Sequence, residues 1–271
     1  MVYASPVDLE YVSGEFYSNQ NYYVSPAKLN SDYADVRFQR EVKIFRRFCQ
    51  QGRVLDVGCS TGGFLQQLRT CYPKSYEIMG TDVAGPALEY AVSQSIPVKV
   101  EPFLNWAGEE QKIDAICFWA VMEHVAEPRL FLAKAASMLS TGGHCFILVP
   151  NLRSLAHRIL GRKYRYVMAE HVNYFSRETL RSLVQSEPVL QILNCGTSHF
   201  NPVVVWQDWR STGEKQVPDD QRAALLAKTT AWKQSKGLRL LRGVYGWSEA
   251  VMNSLWLADN LWIVAKKRAT I

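Results

Sequence analysis

Two carboxylates and a run of small residues carry the most readable chemistry in this chain. The segment Arg53 to Phe64, RVLDVGCSTGGF, passes from β-branched residues into small ones and then into an amphipathic stretch. That order predicts a strand, a tight turn and a helix, the arrangement that binds nucleotide-like ligands. Asp82 closes the next apolar strand, MGTDV, twenty residues past Gly62, where a carboxylate can accept hydrogen bonds from ribose hydroxyls. Two further segments carry proton chemistry: Glu123-His124 in VMEHV, and His171 in AEHVNYF, whose neutral imidazole can take a proton from a hydroxyl near neutral pH.

The kind of nucleoside follows from two residues. A dinucleotide site wants a bare glycine at the middle of GxGxxG so that the backbone can approach a pyrophosphate, and Ser60 stands there. Asp56, two residues before Gly58 at the end of the first strand, would repel phosphates by several kcal/mol and would attract a cation. S-adenosyl-L-methionine carries an ammonium and a sulfonium and no phosphate, so Asp56 and Asp82 suit its two ends.

With these residues the chain resembles the class I S-adenosylmethionine-dependent methyltransferases over roughly residues 30 to 185 and the C-terminal strand. The family's DxGxGxG appears as Asp56, Gly58, Ser60 and Gly62, with serine at the middle glycine. Asp82 is the second element, and IDAICFWAVMEHVAEPRLFLAKAASMLSTGGHCFILVPN resembles the family's fourth strand, helix and fifth strand. The resemblance implies cofactor contacts from Asp56, Gly58, Ser60, Thr61, Gly62, Asp82 and Val83. It also implies a reader of the adenine ring after the third strand, at Phe103, Asn105 or Trp106, although the usual acidic residue of that loop is not evident. Phe118 and Trp119 either wall the methionine end or pack in the core. His124 lies at the lip where the transferred methyl projects, and His171 falls in the substrate-side loop; the alternative for each is a hydrogen-bonded packing residue. His144, His157 and His199 are read as structural, and no metal ligand set is expected.

The elements that must position these groups alternate. Strands are predicted at 53–58, 76–83, 97–101, 112–119 and 143–149, with helices at about 62–71, 86–95 and 128–139 between them. This predicts a Rossmann-like, doubly wound α/β fold around a mostly parallel seven-stranded sheet, ligands binding at the carboxyl ends of the strands. A helix within Asp32–Cys49 precedes the first strand, Gly142-Gly143 ends the helix before the fifth, and Ser176 N-caps a helix running to about Gln185. A strand near Val189–Cys195 and the antiparallel strand DNLWIVAKKR complete the sheet. Residues 1–30 read as an N-terminal arm whose aromatics either cover the cofactor or pack on the surface. Residues 31–271 form one methyltransferase domain with helical cap insertions at about 151–175 and 205–257.

Composition fits a chain with a substantial core: 271 residues, 48% hydrophobic. The six cysteines lack CxxC spacing, as reduced core thiols do, and the N-terminus lacks a basic start and an apolar core, so a cytoplasmic protein without a membrane span is expected. The net charge of +6 is spread along the chain, which gives no nucleic-acid footprint. A local basic cluster, Arg153, Arg158, Arg162, Lys163 and Arg165 with Tyr164 and Tyr166, either holds an anionic acceptor or is a solvated face. The reading is methyl transfer to a small polar metabolite, with a sugar or nucleotide-sugar hydroxyl as the leading acceptor. Its rivals are a protein or nucleic-acid methyltransferase, for which an NPPY or DPPY motif is missing, and a binding protein that keeps the cofactor without turnover.

Overall fold

The computed structural model describes residues 2–3, 38–83, 85–106, 112–164, 166–200, 202–210 and 239–269. In chain order the strands are β1 (Val2–Tyr3), β2 (Gly52–Val57), β3 (Tyr76–Asp82), β4 (Val98–Val100), β5 (Ile113–Trp119), β6 (Leu139–Pro150), β7 (Asn173–Tyr174), β8 (Leu190–Ser198) and β9 (Asn260–Lys267). The helices are α1 (Gln39–Phe48), α2 (Gly63–Cys71), α3 (Pro86–Ser93), α4 (Pro128–Met138), α5 (Leu155–Leu160), α6 (Arg177–Gln185), α7 (Pro202–Arg210) and α8 (Arg239–Ser254). Seven strands form one open sheet in the order β4-β3-β2-β5-β6-β9-β8. The pairs from β4 to β6 are parallel, and β9 runs antiparallel to both β6 and β8. The sequence-predicted Rossmann-like sheet with its final antiparallel strand is therefore the observed one.

Strand alternation sorts the core onto two faces. Leu55, Val57, Ile116, Phe118 and Ile147 meet α4 and α6 on one side. Val54, Ala115, Cys117 and Phe146 meet α1, α2 and α3 on the other. Phe45 of α1 fastens that second face, its ring 5.5 Å from Phe64 and 4.8 Å from Phe146, contacts that add about 0.5–1.5 kcal/mol each beyond burial. A third, smaller cluster joins α5 to α7 through Ala156, Leu160, Tyr164, Phe200 and Val205.

The order reverses between β2, whose chain leads outward to β3, and β5 on its other side, so the carboxyl ends of β2 and β5 meet at a topological switch point, the place where open α/β sheets form their ligand crevice. Ser176 caps α6 as predicted: its Oγ accepts from Thr179 N and its own N–H donates to Thr179 Oγ1, a reciprocal box. One boundary is corrected. Gly142-Gly143 does not end the helix; α4 stops at Met138 and β6 begins at Leu139, with both glycines inside the strand beside an irregularity in the β5–β6 register between Ile113 and Ala115. Of the expected N-terminal arm only Val2–Tyr3 lie among the described residues, paired antiparallel with Asn173–Tyr174. The arm's aromatics read as a cofactor cover, Tyr11, Phe16, Tyr17, Tyr22 and Tyr23, lie outside them, as do Arg165 and residues 211–238 of the second cap.

Candidate active site

The loop from Gly58 to Gly62 is built by left-handed backbone at three alternate residues: Gly58 at φ +70°, Ser60 at +50° and Gly62 at +73°. A side chain at Gly58 would come within 2.7 Å of Val121 Cγ2, so the close approach of this loop to the segment after β5 demands glycine. Ser60 takes the same conformation despite its side chain, a strain of about 1–2 kcal/mol, and its Oγ is buried without a hydrogen-bond partner. Backbone bonds from Gly58 N and Cys59 N to Thr81 O, at 2.8 and 3.1 Å, tie the loop to β3.

Asp82 completes that tie. Its Oδ2 accepts from Ser60 N at 2.7 Å and its Oδ1 from Val83 N at 2.8 Å. Each oxygen keeps a second lone pair, so the carboxylate can hold the loop and still accept from ribose hydroxyls. Asp56 is different: it is 3% exposed, its Oδ1 has no partner, and burial followed by the nearby Asp82 charge pushes its carboxyl well above the usual range. Burial also raises Asp82, against the two backbone bonds that lower it. A buried, unsatisfied carboxylate beside a second one creates a site for a cation, as an amino-acid ammonium would provide.

Across the crevice, β5 ends at Trp119, and the next residue, Ala120, another non-glycine at positive φ, +59°, turns the chain into Val121–Val125. This turn carries the second constellation. Glu123 is 1% exposed with Oε2 unpartnered, and burial lifts its carboxyl to about 8. The rings of His124 and His171 meet edge to face with centroids 4.6 Å apart. Nδ1 of His124 lies 2.9 Å from Glu170 O and Nδ1 of His171 lies 2.9 Å from Tyr166 O, contacts that call for N–H at Nδ1 in both neutral rings. Burial lowers His124 to about 4, and burial with the neighbouring His124 lowers His171 to about 3, so both imidazoles are neutral at physiological pH.

Asn173 holds these parts together and escaped the sequence reading. Its Nδ2 donates to Met122 O at 3.2 Å and to Val125 O at 2.6 Å, while Asn173 N and Val172 N donate to Glu123 O at 3.0 and 2.8 Å. One residue thus fixes the β5 turn against the loop bearing His171. A buried Asn two residues past a candidate histidine was the available signal. Glu101, one residue beyond β4, was also passed over. Its carboxylate follows Val100, the residue paired with Asp82, and bridges to Lys99 at 3.1 Å.

Two expected cofactor contacts, Phe103 and Trp119, are buried among other rings. Phe103 lies in the core, its ring 5.8 Å from Phe118 and 5.6 Å from Phe131. Trp119 packs 5.1 Å from Phe64 and 6.1 Å from Phe146. Trp106 is also buried, and Lys99 Nζ stands 4.5 Å over its ring. Of the other histidines, His199 bridges to Glu41 at 2.7 Å, His144 lies against Phe146 and His157 against Tyr164. In the basic cluster Arg153 pairs with Glu178 at 3.3 Å, and Arg158 and Arg162 are exposed.

Residues 32–186, more than half of the chain, match the methyltransferase domain family. A ubiquinone biosynthesis O-methyltransferase of Chelativorans sp. is 33% identical over 123 residues, covering 41% of this chain and 46% of that protein, so the chain spans about half the length of this curated relative. The fold is shared with a Thermotoga maritima S-adenosylmethionine-dependent methyltransferase described as a possible histamine N-methyltransferase, at TM-score 0.57 and 14% identity, over 87% of this chain and 91% of that one. It is shared too with Haemonchus contortus phosphoethanolamine N-methyltransferase 2 in complex with S-adenosyl-L-methionine, at TM-score 0.54 and 15% identity, over 85% of this chain and 53% of that one. The glycine loop, the paired Asp56 and Asp82 and the domain match agree: the chain belongs to the class I S-adenosylmethionine-dependent methyltransferases.

Proposed function

We propose that this protein transfers the methyl group of S-adenosyl-L-methionine to a hydroxyl of a small molecule. The observation that carries the reading is the pairing of a cation-seeking carboxylate, Asp56, with a proton-handling cluster, Glu123, His124 and His171, across one crevice. In-line displacement at a sulfonium methyl needs positioning and exclusion of water more than acid–base help, because the leaving group is already good. A hydroxyl acceptor adds the need to remove a proton, and the cluster stands on the acceptor side to meet it. An amine acceptor with a free lone pair would need no such group. The O-methyltransferase names among the curated relatives support the same choice and give no support to the sugar or nucleotide-sugar hydroxyl first expected.

The roles divide accordingly. Asp56 would take the cofactor's ammonium, Asp82 its ribose, and Ser60, Thr61, Gly62 and Val83 would line the bound nucleoside. His124 and His171 would orient the acceptor hydroxyl, with exposed Arg158 and Arg162 at the rim for an acceptor bearing an anionic group. Among the described residues no helix is long and apolar enough to cross a membrane. The test is a screen of small hydroxylated compounds with methyl-labelled cofactor, phenols and sugars in parallel. O-Methylated product from a small molecule is the expected result; label appearing only on amines, on protein or on nucleic acid overturns it.

A further inference from the structure

We infer that Glu123, His124 and His171 form a binding site for a divalent transition-metal cation on the acceptor side of the crevice. The three residues each offer one ligand atom, and these atoms all lie within 4.8 Å of one another. Two imidazoles and one carboxylate are the donor set that suits zinc, manganese or iron(II), rather than calcium or magnesium, which prefer all-oxygen cages. Metal–ligand bonds of about 2.0–2.2 Å require the donors to draw together by roughly an ångström, within the reach of small side-chain rotations.

Two independent observations point to a ligand here. Glu123 Oε2 is buried without a hydrogen-bond partner although the residue is 1% exposed, and orphaning such a group costs about 1–3 kcal/mol unless something satisfies it. Both histidines also have Nδ1 engaged by a backbone carbonyl, Glu170 O and Tyr166 O, each at 2.9 Å. That outer bond sets the tautomer and ring orientation of metal-ligating histidines. The backbone is fixed as well, through Asn173 and Val172 on Glu123 O, so all three donors sit on segments locked to one another. Sequence reading had given the histidines separate roles, because they stand forty-seven positions apart.

The use of such a site rests on the O-methyltransferase reading. An acceptor hydroxyl bound to the cation loses its proton to water at a far lower pKa than when free. The oxygen then forms its bond to the methyl carbon as the carbon–sulfur bond breaks, and that electron pair leaves with sulfur as the neutral thioether. Three protein donors leave coordination positions open, and an acceptor with two neighbouring oxygens would fill two of them.

The test uses the full-length protein freed of metal with a chelator. Mn2+ is titrated in and followed by the loss of its free-ion paramagnetic resonance signal, with Zn2+ as competitor and no acceptor present. One equivalent of Mn2+ should bind and be displaced by Zn2+, with affinity at least tenfold weaker in Glu123→Gln and in His171→Ala. His157→Ala, a histidine outside the cluster, should bind as the wild type does. Calorimetric binding of S-adenosyl-L-methionine to every variant shows that each is folded and keeps the cofactor reading separate. No saturable binding, or binding unaltered in both cluster variants, overturns the metal site while leaving that reading intact.

Discussion

Asp56→Asn should make the apoprotein more stable and the cofactor bind less well, two opposite signs from one isosteric change. The carboxyl is buried, its Oδ1 is unpartnered, and burial and the Asp82 charge both raise its pKa. A carboxyl whose folded pKa lies above its unfolded value contributes stability that is complete below the unfolded value, about 3.9, and is lost as pH rises through the folded one. The wild-type apoprotein therefore forfeits stability on going from acid toward neutral and alkaline pH, and the asparagine variant lacks that loss. Replacing an unpaired buried charge by an amide that is itself imperfectly paired leaves a net gain of about 1 kcal/mol, or roughly 2–4 °C in Tm for a chain of this size. Removing the partner of the cofactor's ammonium costs about 1.5–3 kcal/mol of binding, some ten- to a hundredfold in Kd. Differential scanning fluorimetry across pH 5–9, with and without cofactor, and calorimetry read both quantities. An apoprotein variant no more stable than wild type at pH 8, or a variant with unaltered cofactor affinity, refutes the argument that this carboxylate waits for a cation.

Asp82→Ala removes two backbone hydrogen bonds as well as the ribose contact, so cofactor Kd should rise at least tenfold by calorimetry, with faster amide exchange at Ser60 and Val83. Ser60→Gly relieves the left-handed strain and deletes a buried, unpartnered hydroxyl, and thermal denaturation should show a protein as stable as wild type or more stable by up to about 1 kcal/mol. Asn173→Ala strips the amide from Met122 O and Val125 O, which should destabilise by about 1–3 kcal/mol in urea titration and lower turnover more than it weakens cofactor binding. Raising Glu101 as the adenine-side acid predicts that Glu101→Gln weakens the cofactor but spares Mn2+ binding.

The parts of this molecule legible in the sequence are those in which local chemistry and global position coincide. A β-branched run ending in small residues can do little except enter a turn, and the structure places Gly58 and Gly62 at positive φ where that turn requires it. The Ser176 cap was equally readable, because its partners lie within three residues. Gly142-Gly143 misled because a glycine pair signals a helix end and a strand irregularity alike, and the pairing of Leu139 with Ile113, which decides between them, is non-local. Phe103 and Trp119 were less legible for a related reason: an aromatic at a strand's end is apolar whether it faces ligand or core, and its ring neighbours, Phe118 and Phe64, are non-local.

The histidines show the same limit from the other side. Each was singled out by its neighbours in sequence, yet nothing in either segment reveals that the two rings touch. Their contact arises because the chain leaves β6 through Asn151, makes the α5 excursion and returns along β7, where Asn173 clasps the β5 turn. Asn151 anchors the start of that path, its Nδ2 donating to Trp256 O and Ala258 O at 3.1 and 2.9 Å. Two buried asparagines, neither of them a chemical participant, thus decide whether Glu123, His124 and His171 act as three separate groups or as one. Sequence spacing names the groups that can do chemistry, whereas the buried amides that satisfy stray carbonyls decide which of those groups meet.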